Sequence, residues 1–160
     1  MDFEELILRF FALVEGLGSY KPPLRQFLNE FMRKNRNSTL NQHSVDLFRE
    51  CCVAVHDVLG AAPFRAGGSK NPVNKAMFDA IMVPVAFAER DQMRTRAGEV
   101  REAVAAVVED EDFAKAIGRA TADRQRMLYR IGLVADRLRK AGVPVGLDEG
   151  LGLNNPALGS

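Results

Sequence analysis

His43, Cys51, Cys52 and His56 are the only soft metal ligands in the chain. Cys52 and His56 stand one helical turn apart, a spacing that lets two side chains share an ion. A tetrahedral site needs two more ligands, and Cys52 falls on an apolar stripe, where cysteine behaves as a small hydrophobe. No metal is expected. Cys51, His56 and Asp57 supply the types of a nucleophile, a base and an orienting group. Their spacing on one helix points Cys51 and His56 in different directions, so no catalytic residue is expected from them. Gly67-Gly68-Ser69-Lys70 has the composition of a phosphate cradle, but a P-loop needs G-x-x-x-x-G-K-[ST] between a strand and a helix, and neither is present. A flexible connection is expected there, and no cofactor. The acids Glu109 to Asp112 lie around a helix end, where they favour the start of the next helix.

The arginines carry a clearer pattern. Arg25, Asn29, Arg33 and Arg36 project within about a quarter-turn of one another on one helix face. Arg126, Arg130 and Arg137 fall within about 40° on another. Arginines so arranged can bind phosphates bidentately. Arg25, Arg33, Arg36, Arg126, Arg130 and Arg137 are therefore the candidate nucleic-acid contacts. The competing reading is two solvated faces paired with nearby acids such as Asp123.

Helices must position these residues. Leu6, Phe10, Leu13 and Val14 repeat at helical spacing in a first helix over 2–14. Pro22 and Pro23 suit the start of a second, in which Leu24, Phe27, Leu28 and Phe31 share a face. Thr39 with Gln42 has the form of a capping box for a third, whose apolar positions Val45, Phe48, Cys52, Val55 and Leu59 step by three and four up to Gly60. A loop over 61–74 leads to a fourth helix over 74–89, which Pro84 is expected to kink or divide. Met93, Ala97, Val100, Val104 and Val107 define a fifth, a short sixth covers 113–118, and Thr121 is placed to cap a seventh ending at Gly142. No segment alternates with period two. The expectation is an all-α fold, six or seven helices in an irregular orthogonal bundle without a sheet. It forms one domain over 1–142, followed by a Gly- and Pro-rich tail over 143–160 expected to be poorly ordered.

The 160 residues suffice for one core without disulfides or metals. Lys and Arg number 22 against 21 acids, for a net charge of +1, which excludes a strongly basic tail and an acidic disordered chain. No apolar run approaches the roughly 18 residues of a membrane span, the N-terminus is acidic where a signal peptide is basic, and the two cysteines are adjacent. The expectation is a cytoplasmic protein with no membrane partner.

The sequence also resembles a bacterial family. Glu5-Leu6-Ile7-Leu8-Arg9-Phe10-Phe11-Ala12-Leu13, then Tyr20-Lys21 and Leu28-Asn29-Glu30-Phe31-Met32, follow the pattern of the family named for the GmrSD modification-dependent restriction endonucleases. Leu59-Gly60, Phe64-Arg65 and Asn74-Lys75-Ala76-Met77-Phe78-Asp79-Ala80 continue it in order, with Phe113, Thr121 and Arg130-Ile131 a looser close. The resemblance spans 2–138 and corresponds to the helical part of the family's domain. The family's chemistry lies in a ParB-like part with an Asp-Gly-Gln-Gln-Arg motif, and often in a following His-Asn-His nuclease module. Neither motif occurs here, so the resemblance transfers no catalytic residue. It implies packing roles for Phe10, Phe31, Phe64 and Phe78, and polar positions between helices for Asn29, Arg65, Asn74 and Asp79. It further implies association with a ParB-like domain or with itself, in support of recognising modified DNA.

Overall fold

The computed structural model describes residues 2–39 and 41–153, whose regular structure is helical. Eight α-helices follow in order: α1 (Phe3–Gly16), α2 (Leu24–Lys34), α3 (Gln42–Leu59), α4 (Lys75–Ala86), α5 (Arg90–Thr95), α6 (Ala97–Glu109), α7 (Glu111–Gly118) and α8 (Arg124–Lys140). A single 3-10 turn over Leu17–Ser19 extends α1. Among the described residues there is no sheet, only one antiparallel bridge between Ala88 and Val145. None of these helices is long and apolar enough to cross a membrane.

The count exceeds the expected six or seven because the stretch from Met93 to Val107 is two helices. Arg96, at φ −108° and ψ 35°, turns the chain between α5 and α6 while the three-and-four apolar spacing runs on across the break. Sequence periodicity cannot register a turn that preserves phase. Pro84 does not divide α4. It sits in the last turn of one continuous helix, which ends at Ala86, so only one backbone bond is lost.

The capping residues also differ in detail from the sequence reading. Asn41, not Thr39, caps α3 by accepting from the Ser44 N–H at 2.8 Å. Asp123, not Thr121, caps α8 by accepting from the Arg126 N–H at 3.0 Å. Both are short acceptors nearer the first helical residue than the ones the sequence suggested.

The expected orthogonal bundle is instead an assembly around one central helix. Ten residues of α4, from Ala76 to Val85, are buried on every side. A helix apolar all round belongs in the middle of a core. Against it pack α8 most extensively, then α1, α3 and α7. The main cluster joins Phe10, Phe11, Val55, Phe78, Ile81, Met93, Phe113 and Leu138. A second, smaller cluster joins Leu13, Tyr20, Val83, Met127 and Ile131.

The segment after α8 is not the loose tail expected. Gly142, at φ 92°, ends α8, and the Val143 N–H returns to the Leu138 carbonyl at 2.9 Å. Val143 and Val145 are buried, and the Glu89 and Gly146 N–H groups bond the carbonyls of Pro144 and Phe87. The Arg139 guanidinium donates to the carbonyls of Val145 and Leu147. Further on, a Cβ on Gly132 would lie 1.6 Å from the Leu151 carbonyl oxygen, so only glycine lets the arm lie against α8. Residues 143–153 thus form an ordered arm of the domain, and the remainder of the expected tail lies outside the described residues.

Candidate functional site

The first arginine face is realised at the surface. α2 leans on α1 through buried Leu28 and half-buried Leu24, Phe27 and Phe31, and it makes few other contacts. Amphipathic spacing leaves Arg25, Asn29 and Arg33 exposed, while Arg36, expected on the same face, is exposed in the turn after α2, which ends at Lys34. Asn29, expected between helices, is one of these exposed residues, because it lies a third of a turn away from the row that meets α1. Arg33 is bound to Glu30 at 2.9 Å, and that hydrogen bond raises the arginine's pKa and lowers the carboxylate's. Lys21, Arg25, Lys34 and Arg36 enter no salt bridge among the described residues. Residues 21–36 hold these five cations and the single acid Glu30, so a net charge of +4 sits on a chain whose total is +1.

Beside this face runs a groove of about 390 Å³ between α1 and α2, lined by Leu8, Leu24, Leu28 and Met32 with Glu5, Arg25 and Asn29 at its edges. Met32 is 48% exposed, and Phe3 and Ile7 on α1 are 65% and 40% exposed.

The second face does not exist as a surface. Arg130 is 0% exposed and cannot reach a phosphate. Arg126 donates to the carbonyl of Lys115 at 2.8 Å and so helps close the end of α7, while Arg137 is half-buried with its Nε lacking a partner. Their shared projection on α8 faces α6 and α7, which helical spacing alone cannot reveal.

Arg130 belongs instead to a charged network in the core. Asp79, 1% exposed on α4, receives two hydrogen bonds from Arg9 of α1, that from Nε at 3.1 Å, and one from Arg130 Nη2 at 3.3 Å. Arg130 Nη1 donates to the carbonyls of Thr121 and Ala116 at 2.6 and 3.3 Å, and its Nε has no partner. Arg9 reaches outward to Glu5, which also binds Lys75. Burial lowers the Arg9 pKa, but the charge and hydrogen bonds of Asp79 and then Glu5 outweigh it and leave it raised. Burial dominates at Arg130 and, with the repulsion of Arg9, leaves its pKa lowered despite Asp79. Two guanidiniums share one fully buried carboxylate, tying α1, α4 and α8 together. Sequence reasoning missed Arg9 in this role. The available signal was an acid inside a helix apolar on all sides, which must have a cationic partner.

The residues implied by the family resemblance lie around the same centre. Phe10 is fully buried and meets Phe48 edge-on at 5.1 Å, while Phe64 and Phe78 meet at the same distance. Phe31 is half-buried against the main cluster. Asn74 caps α4 through the Met77 N–H and donates to the Ile117 carbonyl at 3.0 Å. Arg65 donates to the Asn71 carbonyl and closes the glycine-bearing loop over 65–71, with Asn71 bonding back to Ala66.

The remaining chemistry is dispersed. Cys51 is buried, which pushes its thiol up to about 12, whereas His56 is exposed, so the two share no site. No group of three or more His, Cys, Asp or Glu residues that could hold a metal occurs among the described residues. Asp110 caps α7 through the Phe113 N–H and accepts from the Tyr129 hydroxyl at 3.1 Å. Burial, reinforced by Asp110, pushes that phenol up to about 12. Compared with family models, curated proteins and solved structures, the chain matches none.

Proposed function

We propose that this protein is a non-catalytic helical domain of a GmrSD-like DNA-restriction protein, acting by association with a ParB-like domain in support of modified-DNA recognition. The observation that carries this reading is the apolar surface left open at one end of the domain. Met32 stands 48% exposed on a groove floored by Leu8, Leu24 and Leu28. Scattered exposed hydrophobics such as Phe3 and Ile7 are ordinary, but an apolar groove rimmed by polar groups, here Glu5, Arg25 and Asn29, is the kind of surface an interface uses. The ordered series behind the resemblance supplies Phe10, Asn74, Phe78 and Asp79, which build the centre of the fold, while chemistry-bearing residues are scattered.

Light scattering coupled to size-exclusion chromatography tests the proposal. The chain is expected to elute as a larger species when mixed with a ParB-like domain of the family, or to self-associate. A monomer indifferent to both refutes it.

A second reading is direct nucleic-acid contact, favoured by the net charge of +4 on the exposed segment 21–36. It now rests on Arg25, Arg33, Arg36, Lys21 and Lys34, since Arg130 is buried. Affinity for a short duplex should fall steeply with salt and be lost in Arg25→Glu with Arg36→Glu. Absence of binding at low salt ends this reading.

A further inference from the structure

α2 is the least embedded of the long helices. It has one buried residue and rests mainly on α1. Leu24, Leu28 and Met32 form an i, i+4, i+8 row along it, about 12 Å long at 1.5 Å per residue. Together with Leu8 of α1 this row floors the 390 Å³ groove. Two helices bearing such a row pack a third helix between them, apolar positions into the furrow.

The charge around the groove selects the occupant. Its one acidic edge residue, Glu5, is already neutralised by Arg9 at 3.3 Å and by Lys75. Arg25, at the opposite edge, enters no salt bridge among the described residues, and it belongs to the segment 21–36, which carries a net charge of +4. A second copy of this chain is disfavoured. A two-fold pairing sets the same surface against itself, and here would oppose two segments of net charge +4. A nucleic acid would satisfy the cations but leave Leu8, Leu24 and Met32 in contact with phosphate or water. An acidic amphipathic helix satisfies both parts of the site.

We infer that the α1–α2 groove is the docking site for an acidic amphipathic helix of a protein partner, its apolar face on Leu8, Leu24, Leu28 and Met32 and its carboxylates toward Arg25 and the basic segment that carries it. This deepens the association reading above by naming the surface and the chemistry of the partner. The seat is about two turns long, and the mode is a helix laid in a groove, read by anchors at i, i+3 or i+4, and i+7.

The probe is a fluorescein-labelled peptide of about 18 residues with leucines at i, i+3, i+4 and i+7 spacing and glutamates elsewhere. A control carries lysines in place of the glutamates. Fluorescence anisotropy should show the full chain binding the acidic peptide and not the basic one. Met32→Asp, a change at an exposed position, should weaken binding at least tenfold, as should Arg25→Glu. Amide resonances of Leu8, Leu28 and Met32 should move on titration while those of α6 stay fixed. Equal binding of both peptides overturns the inference, as does an affinity untouched by Met32→Asp or a shift pattern lying elsewhere. The two proposals fail separately. Peptide binding that survives when no ParB-like domain binds refutes the named partner and keeps the groove; a ParB-like domain bound equally by wild type and Met32→Asp does the reverse.

Discussion

Asp79→Asn is the most informative single change, because it removes one charge and almost no volume from a site with no access to water. In the native protein one carboxylate serves Arg9, 4% exposed, and Arg130, 0% exposed. The amide offers a single acceptor oxygen to three N–H donors and leaves two like charges facing each other. Removing one partner of a buried pair costs about 3–5 kcal/mol. Here Arg130 loses its only counter-charge and Arg9 keeps only Glu5, so the upper end, about 5 kcal/mol, is expected. For a chain of this length that is a fall in melting temperature of about 10–20 °C.

Arg130→Met provides the contrast. It removes the excess cation, keeps the Arg9–Asp79 pair neutral as a whole, and deprives the carbonyls of Ala116 and Thr121 of a donor and Asp79 of one of its three hydrogen bonds. Its cost should be smaller, about 2–3 kcal/mol. Urea titration of both variants at neutral pH reads the difference directly. If Arg130→Met is the more damaging, or if Asp79→Asn costs less than about 1 kcal/mol, the charge argument for this core is wrong.

Three further outcomes are expected. Gly132→Ala should displace the arm over 143–153, since its Cβ would meet the Leu151 carbonyl oxygen at 1.6 Å; limited proteolysis should then cut near Leu151 in the variant and not in the native protein. A disulfide reagent at pH 8 should modify one thiol per native chain, the exposed Cys52, and two in urea, because Cys51 is buried with its pKa pushed up to about 12. Stability should decline on the alkaline side. Cys51 and Tyr129, both held at about 12, remain protonated in the fold at a pH where the unfolded chain loses those protons. Their contribution is complete below about pH 9 and disappears as pH rises toward 12. Denaturant midpoints from pH 8 to 11 check the sign, and a rising midpoint contradicts it.

The helices were legible in the sequence because each buries one apolar stripe, and a stripe is a local property. Leu24, Leu28 and Phe31 on α2, and Val55 and Leu59 on α3, announce their elements without knowledge of the partner, although Cys52, expected on the apolar stripe of α3, is exposed and Cys51 takes the buried place. The arginines were legible only in part for the same reason. Arg25 and Arg33 lie on the exposed side of α2, so projection sufficed for them, whereas Arg36 falls past the helix end at Lys34, where projection no longer holds. Arg130 shares its projection with Arg126 and Arg137, but what decides its role is Asp79, 51 residues away, and no local pattern encodes that meeting. The arm over 143–153 escaped notice because glycines and prolines mark irregular backbone, whether loose or pinned. What pins it, Gly132 under Leu151 and Arg139 on two carbonyls, lies on the preceding helix.

The shared carboxylate of Asp79 also sets an order of events during synthesis. Its two partners precede it by 70 residues and follow it by 51. The first helix therefore leaves the ribosome long before the group that neutralises its buried arginine, and the last partner emerges roughly 120 residues after Arg9. At about 5–20 residues per second that interval is some 6–24 seconds, far longer than a helix needs to form. An N-terminal portion released early must keep Arg9 hydrated and α1 detached from its final place. Closure of the core thus waits for α8, so nascent chains halted before Arg130 should bind chaperones, and those extended past it should not.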